Sequence, residues 1–269
     1  MLGPTPCAFL IGFCSASAIA VAAYRARSLD ASGALAAVVV GTATYGALER
    51  PGAAVLLAFF TTSVALSRLG KRRKRALLVD VDKTGPRDGA QVVANGGVAA
   101  LCALLALRGD ARSAIAFAGA FAAATADTWG TEIGTLARGR PRSILTLRPI
   151  ATGLSGGITV TGTLAEAAGA ALIASVASAT HLGTARLGTR RVGLAVALGG
   201  LTGALVDSVL GASVQSLRWC PGCLRATERE LHLCGTPTVP LRGLGWFGND
   251  AVNVAATLAG ALVAHRVAG

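Results

Sequence analysis

The segment 113–137, SAIAFAGAFAAATADTWGTEIGTLA, runs from Ser113 to Ala126 without a charge and then carries Asp127 and Glu132. A span across lipid needs about 20 mostly apolar residues, and this stretch meets that length as a helix. Charge at such depth is expensive, so the two carboxylates mark a functional-site hypothesis rather than a solvated surface. On a regular helix, five residues at about 100° each set Asp127 and Glu132 about 140° apart. They therefore address different neighbours unless Gly130 breaks the helix.

The same reading extends along the chain, which is 53% hydrophobic and only 14% charged, a balance that fits a bilayer better than water. Apolar runs place spans at 6–24, 31–48, 52–69, 91–107, 113–137, 156–180, 192–213 and 250–267. The predicted fold is all-α: a polytopic membrane helix bundle of about eight spans, forming a single domain over 1–269. Connecting loops at 70–90, 138–155 and 214–249 face the cytoplasm. With 35 glycines and few aromatics, the helices are expected to pack through small residues. The first span has no Lys or Arg before Arg25, so it reads as a retained helix and not as a cleaved signal.

A net charge of +12 would suggest nucleic acid in a soluble chain, but its placement argues otherwise. Of the 25 Lys and Arg, 18 fall in or beside the odd-numbered loops and 6 in the even-numbered ones. The excess of positive charge inside puts the odd loops in the cytoplasm and both termini outside, in a cell (inner) membrane. No nucleic-acid partner is expected. The cluster Arg68, Lys71, Arg72, Arg73, Lys74 and Arg75 reads as a topology anchor against anionic headgroups, with contact to substrate phosphate as the alternative.

With that topology, the polar residues gather at the cytoplasmic ends of the spans. Asp30 precedes the second span; Asp88, Gln91 and Asn95 open the fourth; Asp127 and Glu132 end the fifth. Asp207 and Ser208 lie late in the seventh, and Asn249, Asp250 and Asn253 begin the eighth, while Glu166 sits deeper in the sixth. Gln91 and Asn95 share a helix face, as do Asp127 with Thr131 and Thr128 with Glu132. Gly203, Asp207 and Gly211 recur every fourth residue, which sets a carboxylate in a groove open to close approach. Converging carboxylates and amides suit Mg²⁺, which takes oxygen ligands and bridges to phosphates. Taken singly, each residue could equally be interhelical hydrogen-bonding glue or a helix cap, Asn249 above all.

Two further groups stand out. Arg138, Arg140, Arg142 and Arg148 precede Thr152-Gly153-Leu154-Ser155-Gly156-Gly157, a glycine-rich turn that leads into the sixth span and could cradle an anion. It lacks the Gly-Lys-Ser/Thr ending of a Walker loop. Cys220, Cys223, His232 and Cys234 offer four ligands to a structural Zn²⁺, with unmetallated thiols as the alternative. Cys7, Cys14 and Cys102 lie in apolar spans and read as packing residues.

Taken together, Ser32 to Ala37, Gly85 to Asp88, Gln91 to Gly97, Ala126 to Gly134, Ser155 to Thr159, Gly162 to Ala165, Gly203 to Ser208 and Asn249 to Asn253 resemble a known family. It is the membrane family grouped as domain of unknown function ninety-two, which includes proteins like transmembrane protein nineteen and the plant phytyl-phosphate kinases. The chain departs from that pattern at Leu154, where a hydroxyl residue is expected, and at Glu166, where a small residue is usual. The resemblance implies an Mg²⁺-dependent transfer of phosphate from a nucleoside triphosphate, with CTP the expected donor. The acceptor would be an isoprenoid monophosphate such as phytyl phosphate, giving a diphosphate for tocopherol or quinone synthesis. On this reading Asp127, Glu132, Asp207 and Asp250 hold metal, supported by Asn95, Asn253 and Ser208. Arg87, Asp88, Gln91, Arg142, Gly153, Ser155, Gly156, Gly157 and Asn249 complete the substrate and phosphate site. The alternatives are a prenyl-alcohol kinase, a CTP-dependent cytidylyltransferase of lipid substrates, and a small-solute transporter. The oligomeric state stays open, a homo-oligomer included.

Overall fold

The computed structural model describes residues 6–77, 85–183 and 187–269, so part of the 70–90 loop lies outside the described residues. Helices follow the apolar runs: α1 Pro6–Arg25, α2 Ala31–Arg68, α3 Lys71–Leu77, α4 Gly89–Ala106, α5 Ala111–Gly134, α6 Val160–Ala179, α7 Thr189–Ser213 and α8 Asn249–Ala268. Among the described residues, α1, α2, α4, α6, α7 and α8 are long and apolar enough to cross a membrane.

A straight helix as long as α2, 38 residues, would reach about 57 Å. Its far end nevertheless returns to its start: Arg68 Nη2 donates to Ser28 Oγ at 3.0 Å and to Ala26 O at 3.2 Å. The reversal is at Glu49, whose φ of 49° and ψ of −136° are not helical. Pro51 follows, without an amide hydrogen to continue the ladder, and Gly52 packs beside Thr44. Arms 31–48 and 50–68 are thus two antiparallel passes, which brings the number of long helical passes among the described residues to eight.

At the centre lies α5, buried from Ser113 to Ala126 and in contact with α2, α4, α6, α7 and α8. Its run of Ala and Gly lets backbones come close, where van der Waals packing drives association in lipid. A Cβ on Gly260 of α8 would lie 2.7 Å from Gly119 O of α5 and 3.0 Å from Gly199 O of α7. Phe117 and Phe121 fill the remaining space as a T-shaped pair, with ring centroids 5.2 Å apart.

Asp30 and Asp88 are N-caps. Asp30 Oδ1 accepts from Gly33 N at 2.7 Å, and this bond, followed by that from the Ser32 hydroxyl, holds its carboxyl below the ordinary range. Asp88 Oδ1 accepts from Gln91 N at 2.9 Å, and Gln91 Oε1 accepts from Asp88 N at 3.1 Å, a reciprocal capping box. The two caps are sutured together: Asp30 N donates to Arg87 O, Arg87 N to Ser28 O, and Gly89 N to Ser32 Oγ.

Two features depart from the expected layout. The sixth span starts at Val160 and not at 156, because Gly157–Ile158 (β2) pairs antiparallel with Arg142–Ser143 (β1) and Thr159 caps the helix through Gly162 N. The 214–249 loop also carries a three-stranded antiparallel sheet, with β3 Leu217–Cys220 between β4 Arg225–Thr227 and β5 Val239–Arg242. Arg242 closes the end of α7 by donating to Ala212 O and Gly211 O.

Gly260→Ala is expected to destabilise the protein by about 1–3 kcal/mol, as overpacking does, and so to lower its unfolding temperature in detergent, because its new methyl would meet two backbones. Unchanged unfolding would mean that the three helices are free to part there.

Candidate functional site

One end of the bundle opens into a cavity of about 580 Å³. Into it come the start of α4, the last turns of α5, the first turns of α6, the end of α7, the start of α8 and the loop 152–159. Arg87, Gln91, Asn95, Asp127, Glu132, Gly153, Ser155, Gly156, Gly157, Asp207, Ser208, Asn249, Asp250 and Asn253 all line it.

The floor is a pair of acids. The Asp127 and Asp207 carboxylates lie close enough to act on each other, and Glu166 and Glu228 are near enough to act on Asp207 electrostatically. Among the described residues, Asp207 Oδ2 is buried with no hydrogen-bond partner. Like charges pressed together in a poorly solvated place persist only with a cation or proton between them. An all-oxygen donor set with an unsatisfied buried oxygen is what Mg²⁺ binds, so the residues fit that ion. The pair is positioned by close packing of α5 on α7: a Cβ at Gly203, one turn before Asp207, would lie 2.2 Å from Ala123 Cβ, one turn before Asp127. Trp129 Nε1 donates to Thr62 Oγ1 at 3.3 Å, which fixes α5 against the returning arm of α2.

Glu132 points elsewhere, as its helical angle requires. Its Oε1 accepts from Ser67 Oγ at 2.7 Å, and its Oε2 forms a salt bridge at 2.5 Å with Lys74 Nζ, which also donates to Leu66 O. Lys74 is only 5% exposed. This corrects two expectations: one member of the basic cluster turns inward, and Glu132 is engaged by an ammonium and a hydroxyl instead of standing with the acid pair.

Glu132 still lines the cavity, but two predicted residues stay outside it. Asp88 is occupied as the cap of α4, and Arg142 Nη1 donates to Leu147 O at 2.8 Å, supporting a turn where Leu147 has φ 56°. Asn249 lines the cavity but does not cap α8; Gly248 is the N-cap, with no side-chain bond, so the first turn of α8 opens toward the cavity.

The structure adds four charged residues that the sequence reading left out of the site: Glu166, Arg218, Glu228 and Glu230. Glu166 has room because Gly130 faces it; a Cβ there would lie 2.6 Å from Glu166 Cγ. Glu228 Oε1 accepts from Ser155 N at 3.0 Å and Ser155 Oγ at 2.6 Å, tying the sheet of the 214–249 loop to the glycine turn. That turn also rests on α7: Gly156 has φ 80°, and a Cβ on it would collide with Ala212 N. Arg218 is aimed by Thr238, which accepts from Nε at 2.7 Å and Nη2 at 2.9 Å. The out-of-place acid at Glu166 was the one sequence signal among the four.

A second cavity, about 230 Å³ and walled mainly by apolar side chains of α1, α2 and α4, adjoins the first. Arg87, Gln91 and Asn95 line both. The Arg87 guanidinium lies 6.0 Å from the centre of the Phe59 ring; burial pulls it below its ordinary value, and the charge of Glu132 opposes that.

An apolar slot thus meets a polar, acid-floored chamber at a shared arginine. The pattern described as "Integral membrane protein DUF92" matches residues 14–261. The chain belongs to this DUF92 family. Among curated relatives, it is similar to Protein PGR of Arabidopsis thaliana, 33% identical over 263 residues and covering 90% of each chain. It is also similar to an uncharacterized membrane protein of Methanocaldococcus jannaschii, 33% identical over 188 residues, 70% of this chain and 75% of the relative. Protein VTE6, chloroplastic, of Arabidopsis thaliana is 26% identical over 242 residues, 88% of this chain and 64% of that one. No solved structure matches this DUF92 chain.

Lys74→Met and Glu132→Gln should each destabilise the protein more than the double variant does. A double-mutant cycle on thermal unfolding should give a coupling of about 1–3 kcal/mol; additive effects would show that the pair is not formed.

Proposed function

We propose that this DUF92 protein transfers a phosphoryl group from a nucleoside triphosphate to an isoprenoid monophosphate, giving the diphosphate. The observation that carries this reading is the joined pair of cavities. A prenyl tail fits the apolar slot beside Phe59 and Val40, and its phosphate would then lie at Arg87, Gln91 and Asn95. From there it faces Asp127 and Asp207 across the polar cavity. The resemblance to the plant phytyl-phosphate kinases supports the same class of acceptor. The excess of Lys and Arg in the loops at this end supports a cytoplasmic opening, where CTP or another triphosphate is available.

In the proposed reaction an oxygen of the prenyl phosphate attacks the γ-phosphorus. A new P–O bond forms as the bond to the β-phosphate oxygen breaks, and the nucleoside diphosphate leaves with the electron pair. The acceptor is already an anion, so no side chain has to remove a proton, and catalysis is alignment plus charge stabilisation. Asp127 and Asp207 would hold Mg²⁺, which when bound neutralises phosphate charge. Arg87 and Arg218 bring positive charge to the cavity wall. Ser155, Gly156 and the open first turn of α8 supply hydrogen-bond donors for phosphate oxygens. The short reach of Asp207 keeps its carboxylate at the floor, and Glu228 keeps the glycine turn in place above it.

The test is to incubate purified protein in detergent with Mg²⁺, CTP labelled at the γ-phosphate, and phytyl or geranylgeranyl monophosphate. A labelled prenyl diphosphate should form. Asp207→Asn and Asp127→Asn should each reduce it by at least about 100-fold, in line with loss of a main electrostatic element, and Arg87→Ala should raise the KM for the prenyl phosphate. Transfer of the whole nucleotide would instead identify a cytidylyltransferase. No product from any prenyl phosphate, or full activity in Asp207→Asn, would refute the proposal.

A further inference from the structure

The 214–249 loop has little with which to hold itself together. Leu224, Leu231, Leu233, Leu241 and Trp246 are all more than half exposed, so its sheet lacks an apolar core, and pieces of this size generally need a staple. Against that background, Cys220 Sγ, Cys223 Sγ, a ring nitrogen of His232 and Cys234 Sγ lie within 4.8 Å of one another. Cys220 ends β3, and Cys223 follows across a turn that Leu224 leaves with φ 53°. His232 and Cys234 come from a second turn, closed by Gly235 N donating to His232 O at 2.9 Å.

The spacing discriminates between possible uses. Cys220 Sγ and Cys234 Sγ are 3.6 Å apart, far beyond a disulfide bond of about 2.05 Å. Two zinc–sulfur bonds of about 2.3 Å at a tetrahedral angle set their sulfurs about 3.8 Å apart. His232 Nδ1 is 3.2 Å from Cys234 Sγ, facing the same centre. Cys220 and His232 are buried while Cys223 and Cys234 are exposed, so the cluster is anchored in the loop and open to metal from outside.

We infer that Cys220, Cys223, His232 and Cys234 form a structural Zn²⁺ site that staples the 214–249 loop over the cavity. Four protein ligands leave no open position for substrate, so the ion would be structural and not catalytic. Its effect on the cavity passes through short links. Thr238 N donates to Glu230 O at 3.0 Å, its hydroxyl donates to Arg229 O at 2.6 Å, and the same residue aims Arg218. One residue beyond β4, Glu228 holds Ser155. Fixing the two metal turns therefore fixes the strands that deliver Arg218 and Glu228. The inference concerns this loop alone and does not depend on which reaction the cavity performs.

The test uses the full-length protein, produced with zinc in the medium and purified in detergent without chelator. Metal analysis should find about one zinc per chain, as a closed four-ligand site requires. Replacing it with Co²⁺ should give the strong visible bands and thiolate charge-transfer absorption of a tetrahedral thiolate site, a readout that needs no variant. Removing the metal with a high-affinity chelator should speed trypsin cleavage at Arg225 and Arg229 at least tenfold, reversed by added Zn²⁺. Cys223→Ser, at an exposed ligand, should lose the zinc. Less than about a tenth of an equivalent of zinc with no cobalt bands would overturn the site. Zinc bound without any change in cleavage on its removal would overturn the stapling role.

Discussion

The structure depends on one unfavourable contact, the meeting of the Asp127 and Asp207 carboxylates at the end of a bundle otherwise built from Ala, Gly and Leu. Acids do not gather in such a place for stability, since each loses hydration and repels the other. What makes the contact attainable is the absence of bulk around it. Gly203 lets α7 lie against Ala123, and Gly130 leaves space for Glu166. Small packing residues therefore set how closely the charges approach.

The surrounding elements are arranged about that pair. Arg87 is carried on a loop sutured to the start of α2, so its backbone has little freedom. The glycine turn is held from two sides, by Ala212 below and Glu228 above. Lys74 and Glu132 neutralise each other nearby, so the second acid of α5 adds structure and not more negative charge at the floor. On the proposed reaction, a cation at the acid pair relieves the repulsion on binding, and the apolar slot places the acceptor phosphate without requiring a base.

Much of this was legible in the chain because lipid imposes simple rules. Long apolar runs gave the helical passes, including the break between 48 and 52 that the structure puts at Glu49. Polar residues at helix ends pointed to many of the residues that line the cavity, though not to Arg218, Glu228 or Glu230. Legibility failed wherever a long-range partner decides. Asp88 looks like a ligand until Gln91 is seen to complete its capping box. The pairing of Glu132 with Lys74 joins residues 58 positions apart, and the hold of Glu228 on Ser155 spans 73. Gly157 and Ile158 read as helix because their strand partners, Arg142 and Ser143, lie beyond a local window.

The most direct measurement is a structure of the protein with Mn²⁺ as a magnesium substitute, a non-hydrolysable triphosphate analogue and a prenyl monophosphate. The account predicts the anomalous metal peak within about 2.2 Å of Asp207 Oδ2, close to ordinary metal–oxygen bonding. It also predicts the acceptor phosphate at Arg87 and the tail in the slot beside Phe59. A metal bound away from both Asp127 and Asp207, or a prenyl tail outside that slot, would contradict it.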